Sequence, residues 1–394
     1  MRTTVRLSLC LSTLARVASA QPTEPPPAKS DAETVEPAKP IVTVGGYLET
    51  YYQLNLRVPS NQITSLRGYD NRDRTFTLAN AAIDLKGERG PLTARLIFQV
   101  GATGSTYYLG EPPLPGATGV NATNSELWKY IQTATLAYHA PADVLVEAGL
   151  FLSPIGPEVI PIKDNWSYSR SNLFFGLPAY HTGARASRSL GGNWTGTLAM
   201  YSGWNSVVDN NRTPSVSVSA SHVTPKLTAQ LLYFGGNERA PGSPEGTPWR
   251  HLVDAYAQLA IDDRFAVLVH GDAGIERNAI GTSGWAAAQV AGKYQLAPKL
   301  YAAIRGDYFR EWVAEANGET AAAIFWPADW MASATGTFAV QPADGLSVRL
   351  EYRHDQSSGE VFFGGEVAGD GVATPFVPNR RRQDTVTLGA VAWF

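Results

Sequence analysis

The sequence predicts an all-β protein, a transmembrane antiparallel β-barrel of about 16 strands with short periplasmic turns and long extracellular loops. Three observations carry this prediction. Apolar and polar residues alternate through most of the chain after residue 41. The connections between the alternating segments are short and long by turns. The last segment ends on an aromatic residue, Phe394, which also ends the chain.

Composition narrows the class first. Charged residues make up 17% of the 394 residues, against roughly 25% in an average soluble protein. The 32 Lys+Arg and 35 Asp+Glu leave a formal charge of −3, with no basic excess for a phosphate backbone, so no nucleic-acid partner is expected. No run of 18 apolar residues occurs, so no transmembrane helix is available.

From the N-terminus, residues 1–20 read as a signal peptide. Arg2 and Arg6 precede an apolar stretch from Leu7 to Leu14, and Ala18-Ser19-Ala20 forms a small-x-small cleavage pattern. The chain's single cysteine, Cys10, lies in this segment, so the mature chain has neither a disulfide nor a thiolate metal site. Residues 21–40, QPTEPPPAKSDAETVEPAKP, are Pro-rich, polar and unpatterned, and read as a periplasmic tether. The barrel is expected over 41–394.

Period-2 patterning then places alternate side chains on opposite faces of a sheet. Val42, Val44, Leu48, Tyr52, Leu54 and Leu56 oppose Thr43, Glu49, Gln53 and Asn55. Leu346, Val348, Leu350 and Tyr352 oppose Ser347, Arg349, Glu351 and Arg353. Strands are expected over 42–56, 75–86, 91–103, 129–139, 143–152, 178–188, 193–204, 214–223, 226–236, 250–261, 264–274, 285–296, 299–312, 329–341, 345–356 and 383–394. Turn residues such as Gly87-Glu88-Arg89-Gly90, Leu190-Gly191-Gly192 and Pro342-Ala343-Asp344-Gly345 mark the short connections. The long ones are 57–74, 104–128, 153–177, 205–213, 237–249, 275–284, 313–328 and 357–382. A soluble sandwich has no reason to gather its long loops at one end, whereas an outer-membrane barrel does. In lipid every backbone polar group needs an internal partner, so the sheet closes on itself. At about sixteen strands the interior is too wide for side chains to fill, and a water-filled channel follows.

Residues 42–211 resemble the OmpL-like outer-membrane β-barrel porin family of Gram-negative bacteria. The resemblance rests on Gly46-Tyr47-Leu48-Glu49-Thr50-Tyr51-Tyr52, Phe76-Thr77-Leu78-Ala79-Asn80 and Glu126-Leu127-Trp128-Lys129-Tyr130-Ile131-Gln132. It continues in Glu147 through Gly156, Asn165-Trp166, Ser169 through Phe175, Tyr180-His181-Thr182-Gly183 and Gly203-Trp204-Asn205. It implies a porin-like barrel in the outer membrane and names no substrate. The closing strand Val386-x-Leu388-x-Ala390-x-Ala392-x-Phe394 resembles the signal read by the barrel-assembly machinery, with Ala392 where a second aromatic is often found.

The loop 153–177 holds Trp166, Tyr168, Leu173, Phe174 and Phe175, too many aromatics for extracellular water, and is expected to fold into the lumen and narrow it. Asp164 or Asn165 would cap a short helix running toward Leu173. Lys163 and Arg170 would be its charged members, opposed by inward-facing Arg95, Glu147, His181 and Arg185. Glu49, Asp84, Arg305, Arg349 and Arg353 complete the candidate pore-lining or constriction set. Basic and acidic residues on the inward face are nearly balanced and interleaved, as in Arg349-x-Glu351-x-Arg353. His181 reads as a wall residue in a hydrogen bond. No HExxH, GxSxG, Walker sequence or dinucleotide fingerprint occurs, so no catalytic, cofactor or metal site is expected. Arg380-Arg381-Arg382 would face lipopolysaccharide or solvent at an extracellular strand end.

The expected function is passive diffusion of small hydrophilic solutes or ions. The expected partners are outer-membrane lipid and lipopolysaccharide, the assembly machinery through Phe394 and the solutes, with room for a homo-oligomer. The alternatives are a plugged barrel acting as a surface adhesin or tether, and a hydrolase at the barrel rim.

Overall fold

The computed structural model describes residues 40–112 and 123–394. The expected signal peptide and tether, apart from residue 40, lie outside the described residues. The strands are β1 (Ile41–Asn55), β2 (Phe76–Arg89), β3 (Leu92–Val100), β4 (Ile131–Ala140), β5 (Val144–Leu152), β6 (Tyr180–Gly191), β7 (Trp194–Tyr201), β8 (Ser215–Val223) and β9 (Leu227–Asn237). They continue with β10 (Trp249–Ala260), β11 (Phe265–Arg277), β12 (Thr282–Ala297), β13 (Leu300–Trp312), β14 (Glu315–Ala316), β15 (Glu319–Thr320), β16 (Trp330–Ala343), β17 (Leu346–Ser357) and β18 (Arg382–Trp393). All but β14 and β15 join one closed antiparallel barrel of sixteen strands, each paired with its neighbours in the chain; β14 and β15 form a separate hairpin in the loop before β16. The first and last strands close the ring in register from Tyr47↔Trp393 to Asn55↔Thr385. Phe394 exchanges backbone hydrogen bonds with Gly46 at 3.1 and 3.3 Å.

The alternation sorts as a lipid-facing barrel requires. Leu48, Ile83, Leu198, Leu231, Val290, Ile304 and Phe338 point outward and are exposed. Outward aromatics gather near both rims: Tyr138, Trp194, Phe265 and Tyr294 at the end with short turns, and Phe76, Trp249, Trp312 and Tyr352 at the other. This is the double girdle of an outer-membrane barrel. Ile97 breaks the outward apolar run of its strand; it faces inward and is buried beside Tyr47 and Ile162.

Two local expectations are corrected. The connection placed at 275–284 is only the four residues between Arg277 and Thr282, because β11 and β12 stay paired as far as Arg277↔Thr282. The Asn278 side chain closes that turn by accepting from the backbone N–H of Ile280 and Gly281 at 3.0 and 2.9 Å. In the third long loop the short helix is Asn172–Phe175, capped by Ser171 Oγ, which accepts from Phe174 N–H. Asp164 and Asn165 do not cap it. Asn165 clamps both backbone groups of Val159 at 3.0 and 2.7 Å, and Asp164 pairs with Lys163.

Among the described residues no helix is long and apolar enough to cross a membrane, and sixteen strands form the closed barrel. Detergent-solubilised protein is therefore expected to give a β-dominated circular dichroism spectrum and to migrate differently on gels before and after boiling. A helix-dominated spectrum would contradict the fold.

Candidate functional site

The third long loop, residues 153–179 between β5 and β6, lies inside the barrel. Its course is set by charged side chains on the inner wall that bond its backbone. Glu49 on β1 accepts from Ile162 N–H at 2.6 Å. Glu351 on β17 accepts from Tyr168 and Ser169 N–H at 2.6 and 3.0 Å. Arg305 on β13 donates to Ser169 O at 2.7 Å and pairs with Glu158 at 2.9 Å. Arg349 donates to Ser167 O at 2.9 Å, and Arg353 to Arg170 O. Asp307 accepts from both nitrogens of Asn172, at 3.2 and 2.8 Å. At Gly389 on β18 a Cβ would overlap the ring of Tyr168, so this glycine lets the loop touch the wall.

These contacts lie on β13, β17, β18 and β1, so the loop's polar anchors gather on one side of the lumen. Its apolar residues extend the packing upward. Leu173 and Leu177 join Phe151, Tyr201, Phe234, Trp285, Phe309 and Phe362 in one buried cluster near the extracellular rim, with Trp326 from the loop after β15. Tyr69, Tyr107 and Tyr108 from the first two long loops form a second with Ile160 and Tyr180. Burial opposes ionisation of Asp70 in the first long loop, but the adjacent Arg67 guanidinium outweighs it and holds that carboxyl below the usual range. Loops packed on wall aromatics thus occupy the extracellular half of the lumen.

The opposite wall and the periplasmic half differ. Asp84 and Arg95 form a two-point ion pair at 2.6 and 3.0 Å, with side chains 29% and 28% accessible. Glu147 and Arg185 pair at 2.5 Å. Thr135, Thr197, Ser219, Ser221 and Gln230 continue this partly accessible inward strip on β4, β7, β8 and β9.

The sequence-selected residues therefore separate into two groups. Asp84, Arg95, Glu147 and Arg185 face the accessible strip. Glu49, Arg305, Arg349 and Arg353 are buried against the loop. The expected opposition of Lys163 and Arg170 to Arg95, Glu147, His181 and Arg185 is not formed. Lys163 pairs with its neighbour Asp164 at 2.7 Å. Arg170 turns back to bond Val159, Ile160 and Tyr168 carbonyls and stacks over Tyr69 at 4.9 Å. Arg95 and Arg185 already have cross-strand carboxylates, which satisfy them without the loop. His181 is a buried wall residue stacked on Tyr201, with Nε2 3.2 Å from Ser153 Oγ and Nδ1 3.0 Å from Gly203 O. A carbonyl stands where a serine hydrolase has its orienting acid.

Sequence reasoning passed over Glu351 and Asp307 as anchors, although their inward parity is visible. It also missed Glu111, whose carboxylate accepts from Tyr180 O–H and the N–H groups of Val207 and Val208. Burial raises the Glu111 pKa, and these three donors oppose that rise. Glu111 carried no signal, since it sits in an irregular loop.

Residues 41–394 match the family described as "Putative beta-barrel porin-2, OmpL-like". Among solved structures, the fold is similar to the anion-selective porin from Comamonas acidovorans, with TM-score 0.59, 11% identity, and coverage of 90% of this chain and 100% of that one. It is also similar to the outer-membrane channel DcaP of Acinetobacter baumannii, with TM-score 0.55, 12% identity and coverage of 90% and 97%. A third is the trimer form of OmpT, an outer membrane protein of Vibrio cholerae, with TM-score 0.56, 12% identity and coverage of 91% and 100%. Among curated proteins none matches the chain. Identities this low carry the fold alone. The family match and the closed sixteen-strand barrel place the protein in the outer membrane. The chain belongs to the OmpL-like β-barrel porin-2 family.

Proposed function

We propose that this barrel is a porin for passive diffusion of small hydrophilic solutes or ions, narrowed by the loop 153–179. The observation that carries this reading is the partly accessible polar strip running from Asp84 and Arg95 across Glu147 and Arg185 to Thr197 and Gln230. A wall meant only to hold a plug has no need of ion pairs facing water. The passage would run off-centre, along β2–β9, while β13–β1 support the loop. A second reading, a plugged barrel whose loops bind a surface partner, is favoured by the aromatic cluster filling the extracellular half. Conductance separates the two. The hydrolase reading finds support neither in the carbonyl behind His181 nor in its burial.

The charges of the strip are paired at contact distance, Arg95 with Asp84 and Arg185 with Glu147. Paired opposite charges cancel within about a Debye length, roughly 8 Å at physiological salt. Steep selectivity needs a ring of one sign. The signal peptide and tether are part of the proposal, so the mature chain would begin at Gln21.

Refolded protein in planar bilayers is expected to conduct, and deletion of 157–172 to raise single-channel conductance. A wild-type barrel that stays closed while the deletion conducts would favour the plug. The chloride-to-potassium permeability ratio should lie within about a few-fold of one; reversal potentials near the ideal value for either ion would refute this. Glu351→Ala removes the acceptor of two buried N–H groups, at about 1–3 kcal/mol each. It is expected to speed hydrogen exchange over 165–171 and to raise conductance, and unchanged exchange there would refute the anchoring role. N-terminal sequencing of outer-membrane fractions should read from Gln21.

A further inference from the structure

On β10–β12 the inner wall carries a patch that the docking of the loop does not account for. Asp254 and Asp272 are cross-strand partners on β10 and β11, both inward-facing and buried. Directly opposed like charges destabilise a strand pair, and removal from water adds to the cost. The contacts present answer this only in part. His270, two residues along β11, places Nε2 2.6 Å from Asp254 Oδ2. Trp285 donates its indole N–H to Asp272 Oδ1 at 2.7 Å. The nearby arginines are committed elsewhere, Arg305 to Glu158 and Arg250 to Glu276.

Each of the three residues keeps one buried atom without a partner: Asp254 Oδ1, His270 Nδ1 and Asp272 Oδ2. Gln289, the cross-strand neighbour of His270 on β12, has an unpartnered Oε1 as well. Buried polar atoms are nearly always paired, by protein, water or an ion. The two orphan oxygens Asp272 Oδ2 and Gln289 Oε1, on adjacent strands beside the His270–Asp254 contact, therefore indicate a missing partner. One ligand atom from each of Asp254, His270 and Asp272 lies within 4.8 Å of the others.

We propose that Asp254, His270 and Asp272 hold one divalent transition-metal ion, of the Zn²⁺ class, on the lumen wall. The donor set selects the class. An imidazole with two carboxylates suits a borderline ion rather than Mg²⁺ or Ca²⁺, which prefer oxygen alone, or a soft ion that wants thiolate. Two negative charges against one dication remove the repulsion that the sheet now bears. The ion takes the place of the hydrogen between His270 Nε2 and Asp254 Oδ2. Those atoms then move from 2.6 Å to about 3.3 Å, the edge of a tetrahedron with bonds of about 2.0 Å. Gln289 Oε1 or a water is available for the fourth position.

The surroundings suit a closed site with one approach. Gly156 of the inward loop covers the imidazole: a Cβ there would stand 3.4 Å from His270 Cε1. On the periplasmic side a cavity of about 30 Å³ is lined by Gln258, Leu268, Gln289 and Trp166, with room for roughly two waters. Leu268 is the next inward residue on the periplasmic side of His270, and Gln289 is His270's cross-strand neighbour, so the cavity borders the residue available for the fourth position. The proposal is independent of diffusion through the barrel.

The test uses untagged, full-chain mature barrel in detergent, stripped with chelator and titrated with Zn²⁺ alone by isothermal titration calorimetry. Gel migration before and after boiling verifies that each variant is folded. The expected result is one Zn²⁺ per barrel, with affinity reduced at least ten-fold in His270→Gln and in Asp272→Asn and unchanged in Asp370→Asn on an exposed loop. X-ray absorption at the zinc edge of the wild-type protein should show nitrogen and oxygen ligands including an imidazole, and it decides the matter if a variant fails to fold. Absence of stoichiometric uptake, uptake that His270→Gln and Asp272→Asn leave unaltered, or an oxygen-only shell would overturn the site and leave a hydrogen-bonded His–Asp pair.

Discussion

The hydrocarbon interior of a bilayer offers no hydrogen-bond partner to a peptide group, and the architecture follows from that constraint. A strand crossing lipid needs a neighbour on each side, so the sheet has no permissible edge. The pairing of β1 with β18 supplies the last neighbour. Closure fixes two faces of different chemistry. The outer one carries Leu48, Ile83 and Ile304, and the inner one carries Glu49, Arg305 and Glu351. The inner face is then free to hold charges that no lipid-exposed position would tolerate.

The same accounting of backbone groups recurs inside the barrel, with side chains as partners. Loops that enter the lumen bring N–H groups out of water, and carboxylates on or just beyond the wall strands receive them. Glu49 takes Ile162, Glu351 takes Tyr168 and Ser169, Glu238 takes Trp204, and Glu311 takes Trp326. A carboxylate accepts several donors at once, and such charge-assisted bonds are stronger than neutral ones. Arg305, Arg349 and Arg353 bond the loop's carbonyls in complementary fashion. Because buried ions bring a desolvation penalty, this network fixes where the loop lies more than it adds to overall stability. Truncating one anchor would expose a donor and strand a charge together.

The barrel was legible in the sequence because strand parity is a local property. Leu346 through Arg353 announce two faces without any knowledge of their neighbours, and every barrel strand was anticipated near its observed position. The inward course of the third loop was legible from its aromatics, which had no reason to face extracellular water. Its detailed placement was not. Whether Arg170 reaches across the lumen or folds back onto Ile160 depends on carbonyls positioned by the fold. Asp254, His270 and Asp272 were equally hidden. Their spacing matches no linear motif, and only the register between β10 and β11 brings them together. The accessible pairs Asp84–Arg95 and Glu147–Arg185 were visible as charges, but their pairing waited on the same register.

The seam between the first and last strands has a consequence for how the chain reaches this state. Gly46 bonds Phe394, so the contact that completes the ring joins residues nearly a whole chain apart. Closing so long a segment is entropically late and kinetically slow. A chain made from its N-terminus leaves one edge of β1, from Tyr47 to Asn55, without a neighbour until the last dozen residues exist. An edge of that kind recruits other strands, including those of other copies. The interval between synthesis and ring closure is thus the period of greatest exposure to misassembly. Because the seam depends on the final residues, a chain interrupted near its end retains nearly all of its strands and none of the protection of a finished cylinder.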